Sequence, residues 1–224
     1  MARDMYGPMS GLSAWMMTNK WDTRHLLLLW AMWAVMMAAM MLPTAAPMLL
    51  LYARTARRAD AGTRAMLRVS AMAGGYLVAW SAFSVGATLL QRVLSQQMLL
   101  TPMMESARPS ATAWLLLLAG GYQFTPLKTA CLTTCRSPLS LIMRHWHSGT
   151  WGAFHMGAEQ GLYCLGCCWA LMLLLFAGGV MNLAVIAALT ALVMVEKLTP
   201  VGPQFARATG VVLIGWAIWL AVTR

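Results

Sequence analysis

Charged side chains, and acidic ones above all, are scarce in this sequence. Only 6 of its 224 residues are Asp or Glu and 16 are Lys or Arg, so charged residues make up 10% while hydrophobic residues make up 60%. A soluble domain carries nearer a quarter of its residues as charges. The apolar residues also form runs of about 18 or more, which is long enough to cross a bilayer. The composition therefore predicts an all-α, polytopic membrane helix bundle.

Several motifs of common enzymes are absent as well. The sequence has no phosphate-binding loop, dinucleotide fingerprint, nucleophile elbow or zinc-protease motif. The segment CLGC (Cys164 to Cys167) has the spacing of a thiol redox motif, but it falls inside an apolar run, where thiolate formation is unfavourable. We therefore do not expect an enzyme.

The apolar runs predict about six transmembrane helices in a single integral membrane domain covering residues 1–224. The spans are expected at about 25–52, 69–90, 112–135, 152–176, 181–195 and 209–222, with an interfacial segment at about 136–151. Proline inside a span removes a backbone donor and kinks the helix, so the third span should bend at Pro126. Gly74 and Gly75 should permit close helix approach. Asn182 should cap the fifth span, and Glu196 and Lys197 should end it, paired or solvated.

The basic residues explain the net charge of +10 without a polynucleotide partner, because almost all of them lie between the apolar runs. The densest group lies between Arg54 and Arg68. If that loop is cytoplasmic, its side of the membrane holds ten Lys and Arg residues against six on the other. The expected location is the cell inner membrane, multi-pass, with both termini outside the cytoplasm. The lipid bilayer is the expected partner, and nucleic acid is not.

Cysteine is confined to one part of the chain. The five cysteines are Cys131, Cys135, Cys164, Cys167 and Cys168. The first two are one helical turn apart, and the last three have i, i+3 and i+4 spacing. Five is an odd number, so they cannot all pair into disulfides within one chain. They are either small buried hydrophobes or the thiol ligands of a metal site.

Glu159 is the one acid well inside a predicted span, and His155 lies four residues before it on the same helical face. A charge at bilayer depth is costly, so such residues usually face the bundle interior and have a function there. The pair is expected to bind a metal or relay a proton. The alternative is a protonated Glu159, or one paired with Arg136, Lys128 or Arg144.

Methionine is abundant, with 21 residues. In the first span Met32, Met36 and Met40 recur every four residues and so share one face. Met37 and Met41 form a neighbouring stripe. Thioethers suit Cu(I), so the first stripe predicts a path for that ion. The alternative is that these flexible side chains only fill space in the core.

Three segments together resemble a known family. They are MWAVMMAAMMLPTAAPM (Met32 to Met48), CLTTCRSPL (Cys131 to Leu139) and GLYCLGCCWALM (Gly161 to Met172). They are similar to the bacterial family of predicted metal-binding integral membrane proteins, a domain of unknown function. The resemblance covers nearly the whole chain and implies metal binding.

The leading hypothesis is an integral membrane protein that binds a soft or borderline metal ion within the helix bundle, with a copper ion favoured. Its role would be transport, storage or delivery, with a membrane protein or a metallochaperone as partner. The expected ligands are Cys164, Cys167, Cys168, Cys131, Cys135, His155, Glu159, Met32, Met36 and Met40. The alternative hypothesis is a structural subunit or assembly factor of a larger membrane complex, without bound metal.

Overall fold

The architecture comes from a computed structural model that describes residues 22–59, 62–97, 109–137 and 149–223. Within these ranges the backbone forms helices and turns, with no strand. The all-α class is therefore confirmed. Most of the predicted interfacial segment at 136–151 lies outside the described residues.

The described helices, numbered in chain order, are α1 (Thr23–Ala59), α2 (Thr63–Gln96), α3 (Pro109–Tyr122), α4 (Pro126–Arg136), α5 (Gly149–Met172), α6 (Leu175–Gly178), α7 (Leu183–Leu198) and α8 (Gly202–Thr223).

Within the part of the chain that the structure describes, four stretches are long and apolar enough to cross a membrane, namely Thr23–Arg58, Thr63–Gln96, Gly149–Gly178 and Gly202–Thr223. They contain four of the six predicted spans. The predicted span 181–195 corresponds to α7, which has only 16 residues. The predicted span 112–135 is divided between α3 and α4, which have 14 and 11 residues. The count of about six transmembrane helices is therefore not confirmed.

The junction of α3 and α4 is a break rather than the predicted kink. Pro126 cannot donate a backbone hydrogen bond, and it occupies the first turn of α4, a position where that donor is not needed. The side chain of Thr125 caps the new helix by accepting a hydrogen bond from the Lys128 backbone N–H at 3.3 Å. Two short helices therefore meet at residues 123–125, where the side chain of Gln123 is buried.

The most extensive packing in the described chain is between α2 and α5. At Gly75 a Cβ atom would clash with the Phe154 carbonyl, and at Gly157 it would clash with the Met72 carbonyl. Two helix backbones can approach this closely only where side chains are absent. The predicted role of the Gly74-Gly75 pair is thus confirmed for Gly75, whereas a Cβ at Gly74 would meet nothing within 4 Å.

Helix α7 carries charged residues into the protein interior. Its first turn is capped by Asn182, as predicted, since Oδ1 accepts hydrogen bonds from the N–H groups of Ala184 and Val185 at 3.1 and 3.4 Å. At its other end Glu196 and Lys197 are only 2% and 7% exposed. The sequence left open whether these two residues are paired or solvated. The prediction that they are solvated is therefore wrong.

Candidate metal centre

The three cysteines of α5 lie side by side in the core. Cys164, Cys167 and Cys168 are each 1% exposed. The thiols of Cys167 and Cys168 donate to the Cys164 carbonyl oxygen at 3.1 and 2.9 Å. The i, i+3 and i+4 spacing therefore places all three sulfurs on one buried face, as the helical period requires.

Helix α4 brings a fourth thiol to this face. The side chain of Cys135 lies beside the thiols of Cys164 and Cys167. Cys131 lies one turn earlier, where a Cβ added at Gly166 would be 2.7 Å from its Sγ. All five cysteines carry free thiols. Helix α4 therefore brings Cys135 and Cys131 to the α5 cysteines, while metal binding by these residues stays a prediction.

Cys164 also has two partners that are not cysteines. The ammonium group of Lys197 donates to its Sγ at 2.7 Å, and the hydroxyl of Tyr76 lies 2.8 Å from the same sulfur. Tyr76 in addition donates to the Met41 carbonyl oxygen at 3.2 Å. Because an ammonium group can only donate, the Cys164 sulfur accepts from Lys197. The sulfur of Cys164 is thus held by groups from three other helices: α2, α4 and α7.

A buried ion pair adjoins the thiols. Lys128 Nζ lies 2.7 Å from Glu196 Oε2, and these residues are 1% and 2% exposed. The amide of Gln123, from the break between α3 and α4, donates to Glu196 Oε1 at 3.1 Å. The carboxylate of Glu196 is therefore shared by Lys128 and Gln123, while the adjacent Lys197 pairs with the Cys164 sulfur. A buried charge without a partner is strongly unfavourable, and the Cys164 sulfur is the hydrogen-bond acceptor that Lys197 has here.

His155 and Glu159 lie towards the beginning of α5. They precede Cys164 by nine and five residues, so they are displaced from it by about 13 and 7 Å along the helix axis. His155 is exposed and Glu159 is partly buried. Lys128 pairs with Glu196, and the alternative pairing of Glu159 with Arg136, Lys128 or Arg144 stays a prediction. Metal binding by His155 and Glu159 stays a prediction.

The methionines of α1 pack into the same hydrophobic core as the α5 cysteines. Met40 is 2% exposed, whereas Met32 and Met36 are partly buried and pack against the core from its edge. The neighbouring stripe, Met37 and Met41, is fully buried. Burial of this kind fits both a thioether path and simple packing, so the ion path stays a prediction.

The thiols do not yet have the geometry of a formed metal site. Among residues 22–59, 62–97, 109–137 and 149–223, no group of three or more His, Cys, Asp or Glu side chains could hold a metal ion as placed. The cause is visible at Cys167 and Cys168, whose thiols point to the Cys164 carbonyl. Rotation of these side chains would be needed for several sulfurs to face one ion.

The sequence did not predict four residues of this centre, which are the charged Lys128, Lys197 and Glu196 and the aromatic Tyr76. Lys128 and Lys197 look like loop or boundary cations, and Glu196 looks like the end of a span. A signal was nevertheless present, because two cations and one anion stand within or beside apolar runs and are costly there unless they pair. Tyr76 gave no comparable signal, since its contact with Cys164 joins residues 88 positions apart.

A family model described as PpoB2, copper chaperone, matches residues 30–220. The chain belongs to this family. No curated protein and no solved structure matches it. The matched part contains every cysteine together with Tyr76, Lys128, Glu196 and Lys197. Membership of the PpoB2 family confirms the predicted relation to a metal-related family and agrees with the prediction of copper.

Proposed function

We propose that this member of the PpoB2 family is a membrane-integral copper chaperone that binds Cu(I) at Cys164 and neighbouring thiols and passes it to another protein. The observation that carries the proposal is the contact between Lys197 Nζ and Cys164 Sγ at 2.7 Å. The role is binding and delivery of the ion as cargo, without catalysis. The recipient would be a membrane protein or a metallochaperone.

The donor set suits a soft ion. Thiolate sulfur favours Cu(I) over hard cations such as Mg²⁺ and Ca²⁺, and the thiolate rather than the thiol is the ligand. The nearest partners for a Cu(I) ion bound at Cys164 are Cys135 and Cys167, whose side chains are in mutual contact. Cys168, which donates to the Cys164 carbonyl, and Cys131 lie on the margin of this group.

The charges also suit a monovalent ion. A Cu(I) ion with two thiolates carries one net negative charge, and the ammonium group of Lys197 balances it. Burial is least unfavourable when the ion, its two thiolate ligands and the ammonium group together have no net charge. A purely structural role for these cysteines, the alternative hypothesis, gives no reason to bury a lysine against one of them.

Membrane integration is supported by the outer surface of the helices. Trp114, Trp151, Leu183 and Val222 are 72%, 74%, 76% and 80% exposed, and they lie on helices in or near the candidate spans. So much exposed apolar surface is unfavourable in water and favourable in lipid. We include in the proposal the inner membrane as location, with both termini outside the cytoplasm.

The proposal predicts that the protein purified in mild detergent takes up Cu(I) stoichiometrically under reducing conditions. Competition with a chromogenic Cu(I) chelator and elemental analysis measure the uptake, and X-ray absorption should show sulfur ligands alone. Zn²⁺ offered at the same concentration should not displace the ion. A protein that is folded by circular dichroism and binds no stoichiometric copper would refute the proposal.

Lys197 should set the affinity of the site. Lys197→Met leaves a bound Cu(I)–dithiolate with an unbalanced charge and removes a charge-assisted hydrogen bond that contributes about 1.5–3 kcal/mol. We expect Cu(I) binding about 10- to 100-fold weaker in the chelator competition. Lys197→Arg keeps the charge and is the matched control, expected to retain most of the affinity. Equal affinities for Lys197→Met and the unaltered protein would show that the ammonium group is not part of the site.

A further inference from the structure

Arg136 joins the end of α4 to the turn that follows α7. It is the last residue of α4 and comes directly after Cys135. Its Nη2 atom donates hydrogen bonds to the backbone carbonyl oxygens of Thr199 and Pro200, at 2.6 and 3.1 Å. Thr199 comes shortly after Lys197 in the chain. One side chain therefore connects the helix that carries Cys135 to the segment that carries Lys197.

The turn after α7 leaves room for this side chain. The N–H of Gly202 donates to the Thr199 carbonyl oxygen at 3.2 Å, which closes the turn. A Cβ atom at Gly202 would clash with the Glu196 carbonyl oxygen and would lie 3.2 Å from Nη1 of Arg136. The guanidinium group thus packs against a position where only glycine permits such a close approach.

A simpler role for Arg136 would be to stabilise its own helix. A cation in the last turn of a helix interacts favourably with the negative end of the helix dipole. That role needs no contact outside α4, whereas both acceptors of Arg136 belong to another part of the chain. Thr199 is the C-terminal cap of α7, and basic side chains bind carbonyl groups at helix ends favourably. The contacts therefore indicate that Arg136 attaches α4 to α7.

The ion pair of Lys128 and Glu196 attaches α4 to α7 at the opposite end of α4. Lys128 is about 10 Å from Cys135 along the helix axis, whereas Arg136 is adjacent to Cys135 in the chain. The ion pair alone would leave the last turn of α4 free to shift, because helix ends unwind most easily. The position of Cys135 beside the α5 thiols therefore depends on Arg136.

We propose that Arg136 is a positioning residue of the Cu(I) site, which holds Cys135 within reach of an ion bound at Cys164. This inference rests on the proposed function and adds to it the residue that brings the α4 thiol to the α5 thiols. The guanidinium group presents its donors in a rigid plane, so two carbonyl contacts fix its direction as well as its distance. Without them the ion is bound by fewer sulfurs.

The first test measures the reactivity of Cys135 in the full chain, purified in mild detergent without copper. Brief treatment with iodoacetamide, followed by mass spectrometry of the peptides, gives the alkylation rate of each cysteine. Arg136→Met should raise the rate at Cys135 at least about fivefold, because the last turn of α4 opens, and should change the rate at Cys131 less than about twofold. Arg136→Gln is the milder variant and should act in the same direction, so it carries the test if circular dichroism shows Arg136→Met to be unfolded.

The second test measures Cu(I) affinity by competition with a chromogenic chelator. Arg136→Met should weaken binding about 5- to 30-fold, since loss of charge-assisted hydrogen bonds releases one of the ligands. The same substitution in a Cys135→Ser background should change the affinity less than about twofold, because the thiol that Arg136 positions is already absent. Arg207→Met removes an exposed cation from α8, and as the matched control for charge it should keep the affinity of the unaltered protein.

An unchanged alkylation rate at Cys135 in both Arg136→Met and Arg136→Gln would overturn the inference. It would also be overturned if Arg136→Met lost as much affinity in the Cys135→Ser background as in the unaltered one, or if Arg207→Met lost as much as Arg136→Met. An unaltered protein that binds no Cu(I) would instead refute the proposed function, and the alkylation rates would still decide whether Arg136 holds Cys135 in place.

Discussion

Cys164→Ser is expected to abolish measurable Cu(I) binding, with a loss of affinity of more than about 100-fold. Cys164 is the sulfur on which the centre converges, since Lys197, Tyr76 and Cys135 all contact it. Serine has nearly the same shape but offers a hard oxygen in place of a soft sulfur, and Cu(I) prefers the latter. The affinity is measured by chelator competition, and the metal content by elemental analysis.

A matched control separates loss of the ligand from damage to the helix. Ala170→Ser introduces a hydroxyl at an equally buried position of α5, where the side chain is 1% exposed. It should unfold at a temperature similar to that of Cys164→Ser and retain its copper. If Cys164→Ser binds Cu(I) as tightly as Ala170→Ser, the ion is held elsewhere and Cys164 is a packing residue.

Glu196→Gln is expected to lower the free energy of unfolding by about 3–5 kcal/mol, because it leaves Lys128 buried without its anion. Lys128 is 1% exposed and lies 2.7 Å from the carboxylate, so water cannot replace the lost partner without local opening. The same carboxylate accepts from Gln123 at the break between α3 and α4. Loss of the pair should therefore loosen the position of Cys135 on α4 and weaken Cu(I) binding as well.

The double variant Lys128→Met/Glu196→Met tests the electrostatic cause. Replacement of a buried ion pair by two apolar residues of similar size is often neutral or stabilising, so this protein should unfold at nearly the temperature of the unaltered chain. Unfolding is followed by circular dichroism in detergent during heating. A double variant that is less stable than Glu196→Gln would mean that the two side chains matter for their shape rather than for their charges.

The sequence was sufficient for helix content but not for the division of the helices. The long apolar runs at 25–52 and 152–176 predict helices that the structure contains, because hydrophobic length alone identifies them. The run at 112–135 predicts one span, yet Thr125 and Pro126 start a new helix there. Thr125 followed by Pro126 is the pattern of a capped helix start, but the continuous apolar run around it favoured a single kinked span.

The candidate site could be predicted only as far as its sulfurs. The spacing of Cys164, Cys167 and Cys168 predicts a shared face, and that face is buried. The counter-charges could not be found in this way, since Lys197 is 33 positions from Cys164 and Glu196 is 68 positions from Lys128. Such pairs depend on how the short helices α4 and α7 pack in the bundle. The periodicity of the residues within a helix does not predict this packing.

The contacts of Cys164 have a consequence for biosynthesis. Its partners are delivered by α2, α4 and finally α7, so the chain must be synthesised to about residue 197 before the sulfur acquires its ammonium neighbour. A shorter nascent chain would carry the thiols of α5 without the charge that balances a captured ion. Under the proposed function, the Cu(I) site would therefore be complete only once α7 has docked against α5.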